Sequence, residues 1–507
     1  MLYEVLAKSA SSFSDRPALA EGSRTLAYSE LLNVVEGLSR HLGGLGLGAG
    51  QTVAVQMPNS IECVAALFAL SRLGAVILLL DPALKHEEVK RYCGRAGASA
   101  LLRGSGDFDQ MPESGLRVLP VPPAETLGER ARRAGPPSQT PPRRRADENL
   151  VLLLSSGTTG FPKIVPKSVA QAEATLQITS LALRYVKEDS ILAVLPFFHS
   201  FGLFNMMLTA MAAGACLRVE SFSPRRTAAT IETERITVLP GTPFMFHILS
   251  ETDFGRAPDL SSVRLAISAG SALSPAVAQR FQEKFGLAIA QSYGMTEIGP
   301  VCLARVEDFV PGVFLPHRPA SRPADAAKTS PGWVGRPHHG VTVEIWDAAG
   351  NPVADGVQGE IAVKSAVNST AYLGDPEASA VTFKKGYVLT GDIGYRNEAG
   401  HLFILGRRKP MLSVAGKKVS PAEVEACLRS HPRVADALVV GAKTPEGEDS
   451  VKALVLPAGD VTILELQEFC GKNLAAFKVP REIVLVKNVA GGAMKKRPSV
   501  APGTTEG

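Results

Sequence analysis

Two apolar runs, Thr52–Met57 and Ala75–Leu80, limit what this chain can fold into more than any other feature. Ala75–Leu80 is apolar throughout, so a strand made from it is buried on both faces, and Thr52–Met57 reads as a short strand with polar residues only at Thr52 and Gln56. Pro58 ends the first run. Asn59 stands as an N-cap, and a helical segment then runs to Leu73 and stops at Gly74. Strand, helix and strand within about 30 residues make a βαβ unit, so the predicted core is a parallel sheet covered by helices. Upstream, Leu31, Val35, Leu38 and Leu42 recur at helical spacing over 29–45, with Ser29 as the cap. At 507 residues the chain exceeds what one core holds, so two or more domains are expected.

The strand-to-loop pattern recurs. Val151–Leu154 reads as a buried strand that breaks into Ser155-Ser156-Gly157-Thr158-Thr159-Gly160, with Lys163 following. Small residues let backbone N–H groups approach an anion, hydroxyls add donors, and lysine adds a mobile charge. The stretch reads as a polyphosphate cradle, although its spacing is not that of G-x-x-x-x-G-K-[ST]. Taken alone it also reads as a solvated Ser/Thr/Gly loop. Ile191–Leu195 leads into the loop Pro196–Gly202, and Thr237–Thr242, Leu265–Ser271 and Ile289–Glu297 repeat the transition. Loops after the carboxyl ends of strands are where open α/β sheets bind ligands.

Residues 103–148 and 303–332 are rich in proline, glycine and charge, and read as surface excursions rather than core elements. From Trp333 the pattern is β, as a small barrel or an antiparallel sheet. After Gly406 a compact α+β unit of about 100 residues begins, its first helix opened by a capping box, Ser420-Pro421-Ala422-Glu423. Apolar residues at 45% with charged residues at 20% are the balance of a globular protein. A net charge of +5 over this length does not call for a nucleic-acid partner. The six cysteines are dispersed with no C-x-x-C pair, which predicts buried free thiols and a cytoplasmic setting. The first residues, MLYEVLAKSASSFSDR, lack a signal-peptide pattern, and Ser71-Arg72 and Gly74 interrupt the longest apolar stretch, so no membrane span is expected.

SSGTTGFPK, SYGMTE, TGD and GRRK occur in one order at set spacings over nearly the whole chain. In these motifs the chain resembles the adenylate-forming superfamily of acyl- and aryl-CoA synthetases, peptide-synthetase adenylation domains and beetle luciferases. The resemblance implies an α/β fold. A large N-terminal domain, 1–406, would hold stacked mixed and parallel sheets with helices and a small β-barrel. A small mobile α+β domain, 407–507, would follow, hinged near Lys409.

The resemblance also implies a chemistry. A carboxylate attacks the α-phosphate of ATP, pyrophosphate leaves, and the thiol of coenzyme A then displaces AMP. Ser155 to Gly160 and Lys163 would hold the β- and γ-phosphates, and Thr296 and Glu297 would meet the α-phosphate and Mg²⁺. Ala269, Gly270 and Ser271, with Gln291 to Met295 (Ser292, Tyr293 and Gly294 between), would wrap the adenine, Tyr293 stacking on it. Asp392 would accept both ribose hydroxyls, with Arg407 beside it. Lys495 is the candidate adenylation lysine, with Lys496 as the alternative, because Met494 stands where relatives have glycine. In the second half-reaction Lys409 would act as hinge, and Ser413, Ala415 and Gly416 would meet the pantetheine arm. His199 would close over the acid and thioester tunnel.

The acid pocket would be lined by His199, Ser200, Phe201, Thr242, Ala269, Ser292, Gly294 and Val301. No acidic residue among them meets a substrate ammonium, which disfavours an amino acid. An aryl acid of the benzoate or aminobenzoate (anthranilate) type, or a medium acyl chain, fits this set. Three functions compete: a carboxylate–CoA ligase, a stand-alone enzyme loading an acyl carrier protein, and a non-catalytic nucleotide-binding protein. The oligomeric state is not specified by the sequence.

Overall fold

The computed structural model describes residues 1–105, 115–134, 140–155, 162–305, 332–408, 412–443 and 449–486. The chain forms two compact units. One comprises Met1–Pro82, Val89–Ser155 and Lys163–Arg408; the other comprises Ala83–Glu88, Ser156–Pro162 and Lys409–Gly507.

In the first unit the predicted βαβ core is present. Strands Thr52–Val55 and Val76–Leu79 pair in parallel, and the helix Ile61–Arg72 between them is almost wholly buried. They lie in a six-stranded sheet ordered Arg117–Val121, Ala98–Gly104, Thr52–Val55, Val76–Leu79, Asn149–Ser155, Lys163–Ser168. All its pairs are parallel except the last, Asn149–Ser155 with Lys163–Ser168, which is antiparallel. A second sheet has eight strands, ordered Gly299–Ala304, Ile289–Met295, Leu265–Ser268, Val238–Gly241, Ser190–Ala193, Cys216–Val219, Pro17–Glu21, Arg24–Ala27. Its interior pairs are parallel and its edge pairs antiparallel. One apolar cluster joins the helix 61–72 to strands of both sheets. Each buried Leu, Val or Phe there contributes about 1.5–3 kcal/mol. A third sheet is antiparallel and follows an open path from Trp333–Gly335 to Val341–Trp346, through Leu402–Arg407, Tyr387–Arg396 and Gly359–Ser365.

Four local expectations are corrected. The helix Tyr28–Gly44 is capped at Ala27, not Ser29, and Glu30 Oε2 accepts from Ala27 N at 2.9 Å. Tyr28 is pulled into the helix by burial of its ring, its hydroxyl donating to Ala215 O at 2.7 Å. The next helix is capped by Ser60, whose Oγ accepts from Cys63 N at 3.0 Å, while Asn59 is used elsewhere. The 103–148 excursion carries a paired strand, Arg117–Val121, and a helix, Ala124–Ala134, packed on the helix 28–44. Val118, Val121, Ala124, Leu127 and Ala131 are its buried side. Ser420 opens the helix Pro421–Arg429 but makes no capping bond with its side chain; Glu423 Oε1 accepts from Lys478 Nζ at 2.8 Å.

The second unit has its own core. Strands Val434–Lys443 and Asp449–Pro457 pair antiparallel, and Glu482–Leu485 adds in parallel. Helices Pro421–Arg429 and Ile463–Asn473 contribute Val424, Leu428, Leu466 and Cys470 to that core. All six cysteines are free. Among the described residues no helix is long and apolar enough to cross a membrane.

Candidate active site

Because four neighbouring strands of the eight-stranded sheet run parallel, their carboxyl ends share one edge. That register places the loops after Ala193, Gly241, Ser268 and Met295 side by side. His199, Ser200, Phe201, Thr242, Ala269, Gly270, Ser271 and Gln291 to Thr296 therefore gather along this edge. Asn59 shapes the first loop: its Nδ2 donates to Ala193 O (3.2 Å) and Leu195 O (2.8 Å), and its Oδ1 accepts from Phe197 N at 2.9 Å. Phe198 and His199 pack with ring centroids 4.5 Å apart, and a wide π-helical segment, Phe201–Leu208, follows. Gly202 is required there, since a Cβ would lie 2.0 Å from Pro196 O.

Thr242 caps the helix Pro243–Glu251 with its Oγ, which accepts from Met245 N at 3.4 Å. Ala269 is buried, and its N–H donates to Gly241 O at 3.0 Å. Val301 is buried on the edge strand. Gly294 is pressed against that strand; a Cβ would meet Gly299 O at 2.4 Å. The hydroxyls of Ser155 and Ser268 are buried at strand ends with no hydrogen-bond partner among the described residues.

Tyr293 and Asp392 come together from different sheets of the first unit. The Tyr293 ring lies in an apolar cluster with Ile298 and Val301, and its hydroxyl donates to Asp392 Oδ2 at 2.8 Å. Burial, then the Asp392 charge, raises the Tyr293 pKa well above its ordinary value. Asp392 pairs across the sheet with Arg407, whose Nε donates to Oδ1 at 2.5 Å. Each carboxylate oxygen has thus met one donor and keeps a second acceptor position. Glu360 braces the same turn, accepting from Gly391 N (3.2 Å) and Arg408 Nη1 (2.7 Å).

Lys163 is 9% exposed and its Nζ is ion-paired with Asp375 Oδ2. Asp375 Oδ1 caps the helix Pro376–Thr382, accepting from Ala378 N at 3.0 Å. Burial works against this carboxylate, but the Lys163 ammonium and the Ala378 N–H outweigh it and hold its pKa low. Glu297 is 3% exposed; Tyr372 OH donates to its Oε1 at 2.9 Å. Lys167, 1% exposed, donates from Nζ to Glu297 O (3.0 Å) and Val367 O (2.8 Å). Its desolvation lowers its pKa to about 7.

Among the described residues no three His, Cys, Asp or Glu side chains cluster to hold a metal. Glu297 fits a magnesium ion that takes its other ligands from phosphate oxygens: Tyr372 meets only one carboxylate oxygen, and no described donor meets the other. Asp375, Lys167, Tyr372 and Glu360 were not singled out from sequence. Of these, Asp375 had a signal, since Asp-Pro-Glu is a helix start. Ser413, Ala415 and Gly416 belong to the second unit, where Ala415 and Gly416 turn the hairpin Leu412–Val414 and Lys417–Val419. Ser156 to Gly160, Lys409, Lys495 and Lys496 lie outside the described residues.

Residues 6–373 match the family model described as AMP-binding enzyme, and 423–490 match the AMP-binding enzyme C-terminal domain. Triostin synthetase I of Streptomyces triostinicus is 32% identical over 95% of this chain and 90% of its own. The 4-chlorobenzoate–CoA ligase of an Arthrobacter species is 29% identical over 94% and 89%. A double mutant of o-succinylbenzoate CoA synthetase from Bacillus subtilis, bound to a product analogue, superposes with a TM-score of 0.84. It is 25% identical and the match covers 97% of this chain and 96% of that one.

Proposed function

The chain belongs to the AMP-binding enzymes of the adenylate-forming superfamily, and on that premise we propose a carboxylate–CoA ligase acting on an aryl acid. The observation that carries the reading is the shared strand-end edge, which gathers the motif loops, together with the nearby Tyr293–Asp392–Arg407 group. The reaction is an ATP-dependent, AMP-forming acid–thiol ligation. The acid's carboxylate attacks the α-phosphorus, and the bond to the bridging oxygen of pyrophosphate breaks. The thiolate of coenzyme A then attacks the acyl carbonyl, and AMP leaves.

By their motif, Ser155 to Gly160 and Lys163 would hold the departing phosphates. Asp392 accepts the ribose hydroxyls on its two remaining acceptor positions. Glu297 and Thr296 would hold Mg²⁺, which would supply positive charge for the phosphate oxygens. Lys495, assigned from its place in the motif order alone, would be the adenylation lysine. His199, Ser200 and Phe201 enclose the acid, and Phe201 offers a ring face to an aryl group, whereas Val301, expected in the pocket, is wholly buried in the cluster with Tyr293 and Ile298. Two of the relatives, the 4-chlorobenzoate and o-succinylbenzoate enzymes, are named for aryl acids, which favours the benzoate type.

Pyrophosphate release from ATP with a panel of aryl and fatty acids tests this reading. Release with a benzoate-type acid, followed by an acyl-CoA mass after adding coenzyme A, is the expected result. Acylation of a carrier protein in place of coenzyme A would move the acceptor to a phosphopantetheine arm. No release with any acid would leave only nucleotide binding.

A further inference from the structure

We propose that Lys167 and Tyr372 are positioning residues for the magnesium-holding carboxylate of Glu297, one fixing its backbone and the other its side chain. Glu297 sits in the turn after the strand Ile289–Met295. A turn by itself gives a carboxylate wide freedom. Here the Glu297 carbonyl accepts from both Lys167 Nζ (3.0 Å) and Ser369 N (2.8 Å), so both of its lone pairs are used. Lys167 Nζ also donates to Val367 O at 2.8 Å, and Ser369 Oγ donates to Pro166 O at 3.0 Å. Three segments distant in sequence, 163–168, 295–299 and 365–373, are thereby tied at one buried nitrogen. Tyr372 then fixes the side chain: its hydroxyl donates to Oε1 at 2.9 Å, and its own N–H is held by Ser379 Oγ at 2.9 Å. That leaves Oε2 as the oxygen without a described protein donor.

The energetics argue that the Lys167 amino group has a purpose. Among the described residues no carboxylate lies within ion-pair distance of it, the Glu297 charge acting on it only at longer range, and the side chain is almost fully buried. A leucine or methionine would fill the space without that desolvation cost. What an apolar side chain cannot do is bond two carbonyls at once. Magnesium accepts little departure from octahedral geometry, and small misplacements of a reacting group cost up to about 10²-fold. The tie converts a mobile turn into a fixed ligand.

The inference rests on reading Glu297 as the magnesium ligand, and the test separates the two. On the full chain, ATP binding is measured by calorimetry at increasing Mg²⁺, and AMP binding without metal. Unfolding midpoints report folding. Lys167→Met is expected to raise the half-saturating Mg²⁺ by about tenfold or more with AMP affinity unchanged, and Lys167→Arg to recover part of it. Tyr372→Phe keeps the ring and is expected to raise it about 3–10-fold. It carries the test if Lys167→Met fails to fold. Glu297→Gln serves as the reference. If it weakens Mg²⁺-dependent binding while folded Lys167→Met and Tyr372→Phe do not, the positioning role is wrong. If Glu297→Gln itself leaves Mg²⁺ dependence intact, the metal-ligand reading falls, and the proposal with it.

Discussion

An Asp392→Asn variant is expected to lose most of its ability to tell ATP from 3′-deoxy-ATP. Asp392 is 5% exposed, and its two oxygens already hold Tyr293 OH and Arg407 Nε, with one acceptor position left on each. A ribose hydroxyl donating to a buried carboxylate is worth about 1.5–3 kcal/mol, so the natural protein should disfavour 3′-deoxy-ATP by roughly 10–150-fold. The amide of asparagine has one acceptor oxygen and no charge. A neutral hydrogen bond is worth about 0.5–1.5 kcal/mol, which shrinks the ratio to roughly 2–10-fold. The substitution also leaves Arg407 without its anion and lowers stability. Comparing two nucleotides on the same variant cancels that term. The assay is competitive displacement of a fluorescent nucleotide by ATP, 2′-deoxy-ATP and 3′-deoxy-ATP. A folded variant that discriminates as strongly as the natural protein would refute the ribose role.

Asp375→Asn keeps an oxygen for the helix cap, whereas Asp375→Ala removes it, so the alanine variant should lose about 1 kcal/mol more in urea unfolding; equal losses would show that the cap carries no weight. Burial pushes the Asp189 carboxyl up, but Arg264, the Val186 N–H and Thr237 outweigh it and hold its pKa low. Its stabilisation is complete above the unfolded value of about 3.9 and is lost as pH falls through the lower folded value. Asp189→Asn should therefore flatten the acid limb of a pH series of unfolding midpoints, and an unchanged slope would count against the pair. Burial raises the thiols of Cys63 and Cys93 to about 12 and Cys216 to about 11. Native protein at pH 8 should react slowly with a disulfide reagent and quickly once unfolded; rapid native labelling of Cys63 or Cys93 would contradict their placement. Lys495→Ala should stop pyrophosphate release yet form thioester from supplied acyl-adenylate, and equal loss of both would reassign the lysine.

The parallel core was legible because its strands are apolar on both faces, whereas a strand with one solvated face alternates. The Glu297 turn and Asp392 could be picked out as parts of the motifs SYGMTE and TGD. The choice between Asn59 and Ser60 as cap was not. Both side chains can cap, and the outcome is decided by Asn59 bonding to the loop 193–197, far along the chain. The helix 124–134 was hidden by the prolines around it, although its buried residues fall at helical spacing. Lys167, Tyr372 and Asp375 act through partners more than 70 residues away, and no local pattern reports such contacts.

The eight-stranded sheet has a consequence for how the molecule is made. Its strand Pro17–Glu21 pairs with Cys216–Val219, Leu19 lying opposite Leu217. A ribosome adding about 5–20 residues per second delivers that partner roughly 10–40 s after the first strand emerges. In the interval the segment Ala18–Ala20 has only the adjacent strand Arg24–Ala27 to pair with, and its other edge stays open. Closure of so long a loop is slow, and the waiting edge is open to pairing with other nascent chains. Production of this enzyme should therefore depend on holdase chaperones and low growth temperature more than its buried core alone would indicate.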